Sequence, residues 1–204
     1  MPFLIAAAAG LAAGLIGGGR LSNLGTIRWR WVPLLLPVAL WRLVDIVDPA
    51  GGGWLGRLGA PVFLLQFVAV VAFAAVNWRV RGMVLIAAGA VLNALVVGIN
   101  GGFMPIPSGL VRIIGGPAAA ADLIARGQVG HYLLLTDRTR LPWLADVMLM
   151  PGPWPRALSL GDVVMMVGLV VAIAWGLLRP AGSVPPAGGE TEESRGKGAK
   201  PNRI

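Results

Sequence analysis

The chain has 204 residues, 56% of them hydrophobic and 13% charged, with a mean hydropathy of +0.77, a composition that sets it apart from ordinary water-soluble domains and places it with membrane proteins. It has no cysteine and one histidine, His131, which excludes disulfides, iron–sulfur clusters, thiolate zinc sites and an intrachain bis-histidine haem, so no metal or cofactor is expected. The net charge of +8 comes from arginines at the ends of apolar runs, without the basic stripe and interleaved aromatics of a nucleic-acid binder.

In chain order, the first expected membrane span covers residues 3–18, a short run rich in alanine and glycine. Met1-Pro2-Phe3 offers only the terminal amine as a positive start, which argues against a cleaved signal peptide. Gly10, Gly14 and Gly18 recur every four residues and form one ridge. A helix of this chain or of a second copy can pack closely there. Further spans are expected over residues 31–47, 61–77, 83–99 and 160–178, each bounded by charge, proline or glycine.

Polar residues inside spans are costly and mark candidate sites. Arg42 and Asp45 stand three apart on one face of the second span, spaced for an ion pair. Gln66 enters the third span from the same side. On the fourth, Ala90, Ala94 and Gly98 form a small-residue face, with Asn93 and Asn100 on a neighbouring stripe. Such asparagines either join helices or contact a solute. Arg20, Arg28, Arg30, Arg79, Arg81 and Arg179 assign the loops after the first, third and fifth spans to the cytoplasm, whereas Asp48 and Arg57 leave the loop after the second outside. The N-terminus is then external and the C-terminus cytoplasmic. Trp29, Trp31, Trp78 and Trp175 fall near the inner interface, and Trp54, Trp143 and Trp154 near the outer one.

Residues 100–158 are expected to form an external cap of loops and a short helix. Asn100-Gly101-Gly102-Phe103-Met104-Pro105 turns the chain out of the fourth span, and Pro117 to Arg126 reads as a short helix opened by proline. Leu141 to Met150 is too short to span and is expected to lie in the interface or to re-enter. Ser159-Leu160-Gly161-Asp162 has the form of a capping box opening the last span. The membrane domain therefore covers residues 1–178, and residues 179–204 read as a disordered cytoplasmic tail.

The order of Asn100-Gly101-Gly102-Phe103-Met104-Pro105, His131 and Thr136, Leu141 to Asp146 and Ser159 to Asp162 resembles an uncharacterised family of bacterial integral membrane proteins, domain of unknown function 5317. The likeness runs over residues 1 to about 178. It implies a protein of the bacterial inner membrane and brings no activity or catalytic residue with it.

The expected fold is an all-α integral membrane protein, a bundle of five transmembrane helices under the external cap. Three functions compete. The first is a structural or accessory component of a membrane assembly, docking through its cap on a membrane-protein partner or a second copy. The second is a small-solute transporter or channel with an outward-facing pocket formed by Arg42, Asp45, Asn93 and Asn100. The third is an outer-leaflet enzyme with His131 as general base beside Asp146 or Asp162, and Ser108 or Ser159 as nucleophile. The lipid bilayer is a partner in all three.

Overall fold

The computed structural model describes residues 2–47 and 56–179, with side chains from residue 59 onward in the second stretch. Asp48, Trp54, the side chain of Arg57 and the tail from residue 180 lie outside the described residues. The chain is mostly helical. Its helices are α1 (Pro2–Ile16), α2 (Leu21–Leu24), α3 (Leu36–Val47), α4 (Gly56–Val76), α5 (Met83–Ile99), α6 (Ser108–Arg126) and α7 (Leu160–Leu178). A 3-10 turn, Val32–Leu35, leads into α3. Proline at 33 and 37 lacks the N–H that a continuous helix needs, so the segment read as one span over 31–47 divides into this turn and a 12-residue α-helix.

Five helices pack side by side in the order α1, α7, α5, α4, α3. The first contact is parallel. Gly10 lies against Val170 and Ile173, and Gly14 against Ala174 and Leu177, so the glycine ridge serves an intrachain contact with the last helix. Gly18 does not join it: with φ +84 and nothing within 4 Å of a built Cβ, it ends the helix instead. The contact of α5 with α7 is antiparallel and closer still. Gly89 faces Gly161 and Met165, and Gly82 faces Gly168 and Ala172, backbone against backbone. These glycine pairs seven apart carry the contact, whereas Gly98 reaches only Leu64, at 4.0 Å.

Because α1 and α3 lie at opposite edges of the row, the chain must cross it between them. The strap of residues 17–35 does this at one end. The Arg20 N–H and the Asn23 side chain both donate to the Leu177 carbonyl, at 3.0 and 2.7 Å, capping the end of α7. Ile27 is buried with Ala74, Val80, Met83 and Ala172 between α4, α5 and α7, and Trp29 stacks on Phe73 at 5.8 Å.

At the opposite end, residues 100–158 form the cap, which corrects the all-α expectation. β1 (Met104–Ile106) runs parallel to β3 (Tyr132–Leu134), and β2 (Gln128–Val129) pairs antiparallel with β3. β4 (Met148–Met150) and β5 (Arg156–Leu158) make a separate antiparallel pair. Strands of two or three residues show no alternation in sequence, yet they pair backbone groups that would otherwise be buried without partners. α6 starts at Ser108, earlier than expected, and breaks at Gly116 (φ 87, ψ 174), so that Pro117 opens its second half. Leu110, Val111, Ala120 and Leu123 seat it on β1 and β3 around Ile106.

Among the described residues, three stretches are long and apolar enough to cross a membrane: Gly59–Val76 within α4, α6 and α7. α1 and α5 are shorter apolar helices.

Candidate functional site

The candidate residues of the sequence converge on the capped end of the row. The first cluster joins α5 to α7. Asn93, only 1% exposed, donates from Nδ2 to Asp162 Oδ1 at 2.8 Å and accepts at Oδ1 from the Ser159 hydroxyl at 2.8 Å. Ser159 Oγ in turn accepts from the Asp162 N–H at 2.9 Å, and Asp162 Oδ2 accepts from the Ser159 N–H at 3.3 Å. This is the reciprocal capping box with an asparagine from a neighbouring helix built into it. Gly161 makes the approach possible, since a Cβ there would collide with Asn93 Oδ1 and with the Gly89 carbonyl.

The second cluster lies where the cap meets α3 and α4. Asp45 stands between Arg42 Nη1, 3.6 Å from its Oδ2, and His131 Nδ1, 3.5 Å from its Oδ1. The imidazole is boxed by Trp41, Phe63 and Tyr132, with ring centroids 5.1, 4.9 and 4.0 Å away. Burial lowers the His131 pKa to about 4; the Asp45 charge opposes this and Arg42 reinforces it. His131 is therefore a neutral ring at pH 7, and its contact with Asp45 is not an ion pair. The backbone holds it in place, for the His131 carbonyl accepts from the Met104 N–H at 2.8 Å.

Between the clusters lies Asp146. Its N–H donates to the Pro105 carbonyl at 3.0 Å, and Leu144 and Ala145 before it are fully buried. The residue is 7% exposed, and its buried Oδ1 has no hydrogen-bond partner among the described residues. Burial, and then the charge of Asp162, push its pKa well above the usual carboxylate range. The neighbouring Tyr132 phenol is raised as well, by burial and then by the charges of Asp146, Asp45 and Asp162.

Asn100 belongs to neither cluster. Its Nδ2 donates to the Val96 carbonyl at 2.8 Å and the Arg140 carbonyl at 2.9 Å, while its Oδ1 accepts from the Arg140 N–H at 3.1 Å. It clamps the cap onto the end of α5. Ser159, whose hydroxyl proton goes to Asn93, is not aligned with His131, and the carboxylate beside His131 is Asp45, not Asp146 or Asp162. Tyr132 and the rings of Trp41 and Phe63 were not singled out by the sequence reading; the signal was the His131-Tyr132 pair itself, adjacent polar aromatics in an otherwise apolar chain. Among the described residues no group of three or more His, Asp or Glu is placed to hold a metal ion.

The chain is mostly helical, and among its described residues three helices are long and apolar enough to cross a membrane. The chain belongs to the family of unknown function DUF5317, which matches residues 26–174. No curated protein and no solved structure matches it. The matched stretch starts within the strap, holds every residue of both clusters, and leaves out α1.

Proposed function

We propose that the chain is a five-span protein of the bacterial inner membrane that acts as a structural or accessory component of a larger membrane assembly. The spans in this reading are α1, the 3-10 turn with α3, α4, α5 and α7. Ile5, Ile16, Ile46, Val68, Val84 and Val167 are exposed on these five helices, an apolar girdle larger than a water-soluble protein tolerates and suited to lipid. α6 stays in the cap, since it is broken at Gly116 and seated on the small sheet. The arginine-bearing strap end faces the cytoplasm, the cap and N-terminus lie outside, and the C-terminus lies inside.

The observation that carries the accessory role is the hydrogen-bonding state of the polar side chains. Asn93, Ser159 and Asp162 are committed to one another and Asn100 to Arg140, which leaves them little capacity for a solute. The edges of the row, by contrast, are open: α1 buries only Ala6, Gly10 and Gly14, and α3 only Trp41 and Val44. Gentle purification of the tagged protein from native membranes, with mass spectrometry of what co-elutes, tests this. A stoichiometric membrane-protein partner is expected; a protein that purifies alone with a bound small molecule sinks the reading.

A second reading, a small-solute transporter or channel with an outward-facing polar pocket, is favoured by Asp146, whose buried Oδ1 lacks a partner. It requires loss of uptake in Asp146→Asn and Asp45→Asn.

A further inference from the structure

The end of the row opposite the cap carries a second feature that the accessory reading does not use. Arg20, Arg28 and Arg30 on the strap and Arg79 and Arg81 on the α4–α5 turn are all exposed, and Arg179 closes α7 at the same end. Among the described residues of the strap, this turn and the end of α7 there is no Asp or Glu. These cations have therefore no acidic partner from those segments.

Their positions are fixed by backbone. Arg30 N–H donates to Asn77 Oδ1, and Asn77 Nδ2 donates to the Arg30 carbonyl, both at 2.9 Å. Asn77 is itself buried. This two-bond clamp seats the 28–30 stretch against the turn that carries Arg79 and Arg81. Contrary to the expectation of no interleaved aromatics, tryptophans alternate with the charges here: Trp29, Trp31 and Trp78 are exposed, the Arg79 guanidinium lies 5.7 Å over the Trp78 ring, and that of Arg179 lies 4.4 Å over Trp175. An arginine stacked on a ring keeps its donor fork free to take two oxygens of a phosphate. Exposed tryptophan favours the headgroup layer of a bilayer.

We infer that the strap and the α4–α5 turn together form a binding surface for the phosphate headgroups of anionic phospholipids. The inference rests on the five-span reading, which sets this end of the bundle at the membrane surface. The ligand chemistry is a phosphodiester on a lipid with net negative charge. A zwitterionic lipid carries the same phosphate, but its ammonium cancels the long-range attraction that an uncompensated group of arginines exerts. The clamp matters because it pre-sets the spacing of the guanidiniums, so binding does not have to order the strap.

The test uses the full-length protein. Alkaline carbonate extraction comes first, and release into the supernatant would overturn the five-span reading and this inference with it. Retention in the membrane pellet leads to thermal melting in mild detergent with added phosphatidylglycerol, phosphatidylcholine of the same chains, or inorganic phosphate. Phosphatidylglycerol is expected to raise the melting temperature well above the other two. In the Arg28→Gln, Arg30→Gln, Arg79→Gln, Arg81→Gln variant the half-saturating concentration should rise by roughly fivefold per arginine removed. Arg112→Gln, Arg138→Gln, Arg140→Gln and Arg156→Gln together, four exposed arginines of the cap, serve as the matched control and keep the response of the unaltered protein. If the fourfold variant does not fold, Arg79→Gln and Arg81→Gln singly carry the comparison. Equal shifts with phosphatidylcholine or free phosphate, or an unchanged response in the arginine variants, overturn the headgroup surface while leaving the five-span reading intact.

Discussion

Asn77 and Asn100 end neighbouring antiparallel helices in the same way. Each donates one amide hydrogen to the carbonyl four residues back, Phe73 or Val96, and exchanges two bonds with the backbone of an arginine far along the chain, Arg30 or Arg140. One side chain thus caps a helix and pins a loop, once at each end of the row. An alanine could do neither. Asn77→Ala is expected to cost about 1–3 kcal/mol, because it leaves part-buried backbone groups of Arg30 and Phe73 without partners. Asn100→Ala should cost less, about 1 kcal/mol, since water can reach its bonds to Arg140. Melting in one detergent compares the two, and equal losses would contradict the difference in burial.

The glycine contacts predict an order of damage. Gly161→Ala drives a Cβ into Asn93 Oδ1 and to 2.6 Å from the Gly89 carbonyl, and Gly89→Ala meets the Gly161 carbonyl and Met165 N, the latter at 2.8 Å. Backbone cannot step aside, so each should cost about 3 kcal/mol or more, as severe overpacking does. Gly98→Ala, with its nearest neighbour at 4.0 Å, should be close to neutral or slightly stabilising. The yield of folded protein after detergent extraction ranks the three.

His131 and Asp146 make stability depend on pH in opposite directions. His131 has its folded pKa lowered to about 4 from an ordinary value near 6.5. Its contribution is complete above pH 6.5 and is lost as pH falls toward 4, on the order of 2–3 kcal/mol. Asp146 behaves oppositely. Its folded pKa is raised, so its contribution is complete below the ordinary carboxylate value and is lost as pH rises through the folded one. His131→Gln should remove the loss of stability that comes with falling pH, and Asp146→Asn the loss that comes with rising pH. A profile unchanged by both would refute the assignment.

Because His131 is the sole histidine of the chain, its ring can be titrated by NMR in a protein purified without a histidine tag. Arg42→Gln should raise its pKa and Asp45→Asn should lower it, since Arg42 opposes the imidazolium and Asp45 supports it. Neither change should alter stability much through their mutual pair, for the Arg42 side chain is 64% exposed and such pairs contribute about 0–1 kcal/mol. Shifts of the same sign would count against the arrangement.

What could be read from the chain was what is local. The apolar run 83–99 is α5, and Ser159 with Asp162 is a capping box because both partners sit within one turn. Arg42 and Asp45 pair for the same reason. The joining of Asn93 to that box spans 69 residues in sequence, and only the packing of α5 on α7 brings it about. Nor did composition reveal which glycines matter, since Gly18 sits in the four-residue repeat without packing while Gly82 and Gly89 pack without belonging to it. The parallel pairing of β1 with β3, across the whole of α6, has no local signature at all.

The parallel contact of α1 with α7 has a consequence for how the protein is made. Helix α1 is made well before α7, on which it docks, and the glycine surface of Gly10 and Gly14 has no mate until Val170 to Leu177 emerge. At translation rates of about 5–20 residues per second, that interval lasts roughly 8–30 s. During it α1 must wait with its closest-packing face bare, held near its place by the strap alone, so the edge of the row most open to a wrong neighbour in the ribosome's vicinity is also the last to close.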